Sequence, residues 1–383
     1  MSVADAARNL GLRAGRRLQG VHKPLVRLMR RRARAAEQRG FVERVAEVEQ
    51  EIAHVAQAGG PILVGPWLAE VGYEVLYWIP FLRWFQDTYG IAPERLVVVS
   101  RGGLEAAYEG LAGAYVDLFD LMTPAELAVR NAGRRASEEG GGQKQSSAGP
   151  LDQDIVALAS SRLGLSVGAV CHPSLLFRLF REVWHGNLPT DVLTTHTRYR
   201  VSTRSWPAPL SALPDNYFAV KIYAGPALST SDQTRAVVRA VVEAAARVAP
   251  VVVLDTDFGI DEHRDFDLRG LPGVTSLGSR LEPRTNLGVQ MALIARSRGF
   301  LGTCGGLAWL APLLGVPTVA LYDSDRLLGP HLATMHHARL ATGAAAFSPV
   351  DLAGLARIGI IDVANLAGGG SLESKDLADG PRV

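Results

Sequence analysis

Apolar residues along this chain alternate between short β-branched runs and longer stretches of helical spacing. The runs over 61–64, 95–100, 114–119 and 167–170 are rich in Val, Ile and Leu and bounded by turn residues, which predicts strands buried on both faces. Apolar positions recurring every three or four residues predict helices over 41–57, 73–88, 152–163 and 174–184. Two further helices follow Arg101-Gly102-Gly103 and Thr123-Pro124, the second with threonine at its cap and proline in its first turn. From Tyr217 the alternation repeats more regularly. Strands are expected over 217–223, 251–255, 274–277, 299–303 and 318–322, and helices over 232–248, 286–297 and 305–314. Two such series predict an α/β protein of two Rossmann-like doubly wound domains.

Breaks in this pattern divide the chain. Residues 1–57 are expected to form a basic helical arm, 58–205 the first domain, 206–350 the second, and 351–383 a weakly patterned tail. Within the first domain, 134–150 is polar and Gly/Ser-rich, the composition of a mobile surface loop. Prolines without a period over 186–214 suit an interdomain connection.

Composition narrows the function classes. The 383 residues are 48% hydrophobic and 20% charged, enough for two cored domains, and the net charge of +2 gives no argument for a nucleic-acid partner. Only Cys171 and Cys304 occur, so neither a disulfide framework nor a thiolate metal site is expected. No apolar stretch is long enough to span a bilayer and the N-terminus lacks a signal-peptide core, so the expected address is cytoplasmic. From Arg8 to Arg34 every charged residue is basic, with leucines and valines interleaved. Such an arm suits an anionic membrane surface, making the protein peripheral on the inner face, and equally suits a solvated helix.

The strongest chemical signal is the run Gly299 to Ala311, where a buried strand enters Thr303-Cys304-Gly305-Gly306 and then a hydrophobic helix. Glycines there let a diphosphate approach backbone N–H groups at the helix start, with Thr303 as a further donor. The pair equally suits a tight strand-to-helix turn. Glu70 and Glu74 follow the first strand, where a carboxylate can take a proton from an acceptor hydroxyl.

The segment Gly306 to Tyr322 resembles the donor-site segment of the heptosyltransferase-like glycosyltransferases, matching at Gly306, Leu307, Leu310, Ala311 and Pro317. The family's aspartate falls at Cys304 and its histidine at Trp309. Gly72 to Leu82 resembles the family's other motif, one residue longer after the glycine, and puts the catalytic acid at Glu74. The resemblance implies a GT-B fold and an inverting transfer without a metal, using a nucleotide-diphosphate sugar as co-substrate and no cofactor. The acceptor is then a hydroxyl of a glycan, a natural product or a lipid-linked substrate. Lys221, Tyr223, Asn286 and Gln290 join Thr303 to Gly306 as candidate donor contacts, although Asn286 also suits a helix cap. Gly72, Arg101 and His172 are placed on the acceptor side. His331, His336 and His337 read as one solvated helix, and Asp255, Asp257 and Asp261 match no trusted metal spacing. A non-catalytic nucleotide-sugar-binding protein and a sugar-nucleotide epimerase are the alternatives.

Overall fold

The structure, a computed structural model, describes residues 29, 32, 36–137, 145–206, 210–211, 213–258, 263–326 and 328–357. Apart from Met29 and Arg32, the basic stretch 8–34 lies outside the described residues, as does the tail beyond 357.

Helix α1 (36–57) is bound to the first domain rather than standing off as an arm. It buries Val48, Ile52 and Ala56 in the core, and Arg178 Nη1 donates to Glu51 Oε1 at 2.8 Å. The first domain continues through β1 (Ile62–Val64), a helical turn α2 (Val71–Tyr73), a π-helical stretch Glu74–Trp78 and α3 (Ile79–Tyr89). Then come β2 (Leu96–Ser100), β3 (Ala114–Asp117), α4 (Pro124–Ser137), α5 (Pro150–Leu163), β4 (Ala169–Cys171), α6 (Pro173–Trp184) and α7 (Asp191–Thr195). Thr123 caps α4 as its sequence suggests: Glu126 N donates to Thr123 Oγ1 at 3.2 Å and Thr123 N to Glu126 Oε2 at 2.8 Å. The four strands are parallel in the order β3-β2-β1-β4.

In the segment 134–150, expected as a mobile surface loop, the described residues at both ends are built into the fold. Its first four residues close α4, and Gln145 is fully buried, accepting from Leu68 N at 2.8 Å and donating to Pro66 O at 2.8 Å. Residues 138–144 lie outside the described residues.

The second domain contains β5 (Phe218–Lys221), β6 (Tyr223–Ala224), α8 (Asp232–Val248), β7 (Val251–Val253), β8 (Arg264–Asp265) and β9 (Val274–Ser276). It closes with α9 (Asn286–Arg296), β10 (Gly299–Thr303), α10 (Leu307–Leu310), β11 (Thr318–Tyr322), α11 (Gly329–Thr342), β12 (Phe347–Asp351) and α12 (Leu352–Arg357). Its six-stranded parallel sheet runs β12-β11-β10-β5-β7-β9, which is the doubly wound order.

Three expectations change in this domain. The strand over 217–223 splits, because the Thr303 hydroxyl accepts from Tyr223 N at 2.8 Å and donates to Tyr223 O at 2.7 Å, drawing the chain off the sheet into β6. The helix over 305–314 is one α-helical turn followed by a 3-10 turn, Ala311–Leu314, since Pro312 has no N–H to continue the ladder. The tail starting at 351 begins inside β12, an edge strand whose Ser348 and Pro349 hide the β pattern. One apolar cluster runs from Ile62 and Trp78 through to Leu310 and Ala311, so the domains share a core beneath their cleft.

Candidate active site

In each sheet the chain reverses its direction of winding between two neighbouring strands, β1 and β4 in the first and β5 and β10 in the second. Helices leaving such a pair depart to opposite sides and open a crevice outside the strands' carboxyl ends. Here the two crevices merge into one cavity of about 1280 Å³. Glu70, Gly72, Tyr73 and Tyr77 reach it from the segment after β1, and Phe177, Arg181 and Trp184 from the helix after β4. Tyr223 enters after β5, and Thr303 to Gly306 after β10.

The wall contributed by the second domain exposes bare backbone at Gly305 and Gly306, beside the rings of Tyr223, His263, Trp309 and His331. Gly306 holds φ 45° and ψ −121°, a conformation that side chains disfavour. A Cβ on it would lie 2.9 Å from the Tyr223 hydroxyl, and a Cβ on Gly72 would lie 2.9 Å from Gly306 N. The two segments singled out in the sequence therefore meet, glycine against glycine, across the domain junction. Thr303 lines the cavity, but its hydroxyl is committed to Tyr223. Burial pushes the Cys304 thiol up to about 12, so it stays neutral at physiological pH.

Three expected donor contacts sit elsewhere. Lys221 is ion-paired with Asp265 at 2.8 Å and is absent from the cavity lining. Asn286 and Gln290 are buried and bonded to each other, Gln290 Nε2 donating to Asn286 Oδ1. Their helix, α9, seats on the turn after β2, with Gly288 N donating to Gly102 O at 3.0 Å. They pack the domains together instead of lining the cavity.

On the first domain's wall the two glutamates part company. On a regular helix, side chains four residues apart share a face. Glu70, however, is the N-cap of α2 with extended backbone at φ −66° and ψ 144°, and it lines the cavity. Glu74 lies inside the helical stretch and is fully buried, turned into the domain away from the cavity, which corrects its expected cleft-facing position. Its Oε1 accepts from Ser100 Oγ and from the Tyr108 hydroxyl, tying the end of β2 to the 3-10 turn Leu104–Tyr108. Burial raises its pKa to about 7, against the opposing pull of those bonds and of Arg101. Arg101 is itself buried, donating to Ala69 O at 3.2 Å, and does not line the cavity. His172 caps α6, its Nδ1 accepting from Ser174 N at 3.1 Å, with Nε2 3.2 Å from Asp152 Oδ1. It borders a separate groove beside α1, not the cleft.

Several lining residues escaped the sequence reading. Arg130 and Arg134 come from α4 and Arg181 from α6, Glu70 is the one carboxylate among the lining residues, and Arg130 is ion-paired with Asp154. Arg181 had a legible signal, since 177, 181 and 184 fall on one helix face and a charge interrupts that apolar stripe. His331 is not on a solvated face. It sits edge-on to Tyr73 at 5.3 Å between ring centres, its Nδ1 bonded to the Tyr77 hydroxyl and its Nε2 3.4 Å from the Tyr73 hydroxyl. Burial first, then the charge of Glu70, raises the Tyr73 pKa, so both tyrosines remain protonated.

Asp255 serves the fold, accepting from Leu277 N at 2.9 Å and Gly278 N at 3.0 Å. Among the described residues no group of three or more His, Cys, Asp or Glu side chains is arranged to hold a metal ion. Among them, too, no helix is long and apolar enough to cross a membrane.

No family model and no curated protein matches the chain. Among solved structures it is similar to a family 9 glycosyl transferase from Veillonella parvula, at 14% identity over 82% of this chain and 94% of that one, with a TM-score of 0.45. It is also similar to ADP-heptose lps heptosyltransferase II from E. coli, at 14% identity over 75% and 89% of the two chains and a TM-score of 0.38. A UDP-GlcNAc 2-epimerase from Methanocaldococcus jannaschii matches at 10% identity over 76% and 88%, with a TM-score of 0.34. The architecture rests on strand order rather than on these likenesses: two parallel, doubly wound α/β domains facing each other across a cleft.

Proposed function

We propose that this protein is a glycosyltransferase that moves a sugar from a nucleotide-diphosphate donor to an acceptor hydroxyl. The observation that carries the reading is the single cavity spanning the strand-reversal points of both domains, large enough for two substrates and lined by three arginines and one carboxylate. Gly305 and Gly306 offer the donor diphosphate a wall of bare backbone. The arginines favour an anionic ligand.

In this scheme the acceptor oxygen attacks the anomeric carbon as the bond from that carbon to the diphosphate oxygen breaks. The acceptor proton passes to Glu70, and the electron pair leaves with the diphosphate. A single displacement of this kind inverts the anomeric centre and calls for no metal. A lipid-linked acceptor belongs to the same proposal, with the basic stretch 8–34 resting on an anionic membrane at the cytoplasmic face. Changing Arg30, Arg31 and Arg32 to Gln should then weaken sedimentation with anionic vesicles. Unchanged sedimentation removes the membrane from the proposal.

The primary test is a thermal-shift series with UDP, GDP, ADP, CMP and dTDP, with and without Mg²⁺. A ligand at about 100 times its dissociation constant adds about 2.7 kcal/mol to stability, which is readily seen. One nucleoside diphosphate standing out without metal selects the donors for product analysis. Glycoside formation then supports transfer, while an altered free donor without acceptor supports the epimerase. Binding with neither leaves the non-catalytic reading, for which the apolar Cys304 and Trp309 speak.

A further inference from the structure

A second interdomain cavity, of about 280 Å³, lies between α3, the turn Leu104–Tyr108 and the connecting segment 198–204. It shares no lining residue with the main cavity. Four of its lining side chains are arginines, Arg83, Arg198, Arg200 and Arg204, and one is a carboxylate, Glu109. Glu109 is engaged by Arg204 at 3.5 Å. Arg198 donates to the carbonyls of Thr195 and Thr197 at 3.2 and 2.9 Å, and Arg83 to that of Ala107 at 3.3 Å. Carbonyl oxygens satisfy hydrogen bonds without cancelling charge. Among the described residues Arg200 has no ion-pair or hydrogen-bond partner.

Positive charge is therefore in excess around the half-buried Arg83, while Arg198, Arg200 and Arg204 are exposed. Burial first, then the charge of Arg200, lowers the Arg83 pKa to about 10, with Asp87 offsetting only part of this. A desolvated guanidinium beside a second one gains most from an anion, and the planar forks of arginine match the oxygens of a tetrahedral oxyanion. Size and charge decide the class. At about 280 Å³ the cavity lies at the bottom of the roughly 300–1,000 Å³ range of small-molecule sites, too small for a nucleotide sugar, and its arginines suit a free or esterified phosphate.

We infer that this cavity binds a phosphate-class oxyanion, held by Arg83 and Arg200 at the junction of the two domains. The connecting segment is tied to the first domain by Arg198 N donating to Pro80 O at 2.9 Å. It is tied to the second by Ser202 N donating to Leu313 O at 2.8 Å. An anion bridging α3 to this segment fixes the angle between the domains. The inference does not depend on the glycosyl-transfer reading.

The test is the melting temperature of the full chain titrated with inorganic phosphate, chloride being reduced to hold ionic strength constant. Pyrophosphate and glycerol phosphate run as parallel arms to separate a free from an esterified phosphate. A saturable rise of about 2 °C or more is expected at tenfold excess over the dissociation constant. Arg200→Gln and Arg83→Gln should each weaken half-saturation about tenfold, whereas Arg181→Gln, in the main cavity, should not. Arg200 is exposed, so its variant remains informative if Arg83→Gln fails to fold. No saturable rise in any arm overturns the inference. So does a rise lost in Arg181→Gln and kept in the other two, because phosphate then occupies the main cavity. The nucleotide series reads that other cavity, so either proposal can fail alone.

Discussion

The two walls of the main cavity are built from different materials. The first domain supplies side chains that carry charge and protons: Glu70, Arg181, the tyrosines and three arginines in all. The second supplies backbone at Gly305 and Gly306, with the Thr303 hydroxyl committed, the Cys304 thiol neutral, and the rings of Tyr223, His263, Trp309 and His331 around them. The difference teaches a division of labour. Carboxylate and guanidinium charge belongs to the first wall, and close approach of a ligand to bare backbone belongs to the second. Substitutions on the two walls should therefore fail in different ways.

The largest effect is expected at Glu70. Replacing it with Gln keeps the shape and removes the base, so turnover should fall by about 10²–10⁴ while nucleoside-diphosphate affinity holds. Steady-state kinetics alongside calorimetry separates the two quantities. Full activity in Glu70→Gln would sink the assignment, and full activity in Glu74→Gln together with loss in Glu70→Gln would sharpen it.

Next comes the backbone wall. Gly306→Ala forces a side chain into a conformation it disfavours and toward the Tyr223 hydroxyl, so a loss of about 1–3 kcal/mol is expected in urea unfolding. Gly72→Ala pushes on the backbone of Gly306 itself, 2.9 Å from where its Cβ would be. The two changes strain adjoining contacts, Gly306 against Tyr223 and Gly72 against Gly306, so the double variant should depart from the sum of the singles. Affinity for the nucleotide should fall in both, with no change in the pH dependence of turnover. A shift in that pH profile would break the division between the walls.

The same division explains what was legible in the sequence. Both sheets were readable except at the edge strand β12, because their central strands are buried on both faces and announce themselves as continuous apolar runs. Gly72 and Gly306 were readable because a glycine at a strand-to-helix turn reports a backbone requirement. Side-chain direction was not. Glu70 and Glu74 look alike in the chain, and only the extended backbone at position 70 sends one carboxylate into the cavity while the other goes into the core. Arg130, Arg134 and His331 depend on where whole helices dock, which no local pattern encodes.

Glu74 gives a smaller effect with a definite sign. Its ordinary pKa of 4.5 rises to about 7 in the folded protein. Below 4.5 both states hold the proton and the site is at its most stable. Between 4.5 and about 7 the unfolded chain ionises first, so stability falls as pH rises, at about 1.4 kcal/mol per unit at most. Glu74→Gln cannot ionise and should flatten that slope in denaturant unfolding followed from pH 5 to 8. An unchanged slope would mean that another group carries it.

The smallest effect sharpens the comparison from the second domain's side. Lys221 ends β5 and has the right charge for a diphosphate, but its ammonium is 2.8 Å from Asp265 and outside the cavity lining. Asp265 also accepts from Thr256 N at 3.2 Å, so the pair anchors the loop between β7 and β8 beneath Tyr223. Lys221→Met keeps the aliphatic stem, removes the charge and leaves the carboxylate with its backbone donor. A stability loss of about 1–2 kcal/mol is expected, since the pair is mostly buried but Asp265 keeps its Thr256 N donor. Nucleotide affinity should be unchanged, because a backbone wall needs Lys221 only to hold its shape. A tenfold loss of affinity at unchanged stability would instead put a charged side chain on that wall, and the contrast between the two halves of the cavity would go with it.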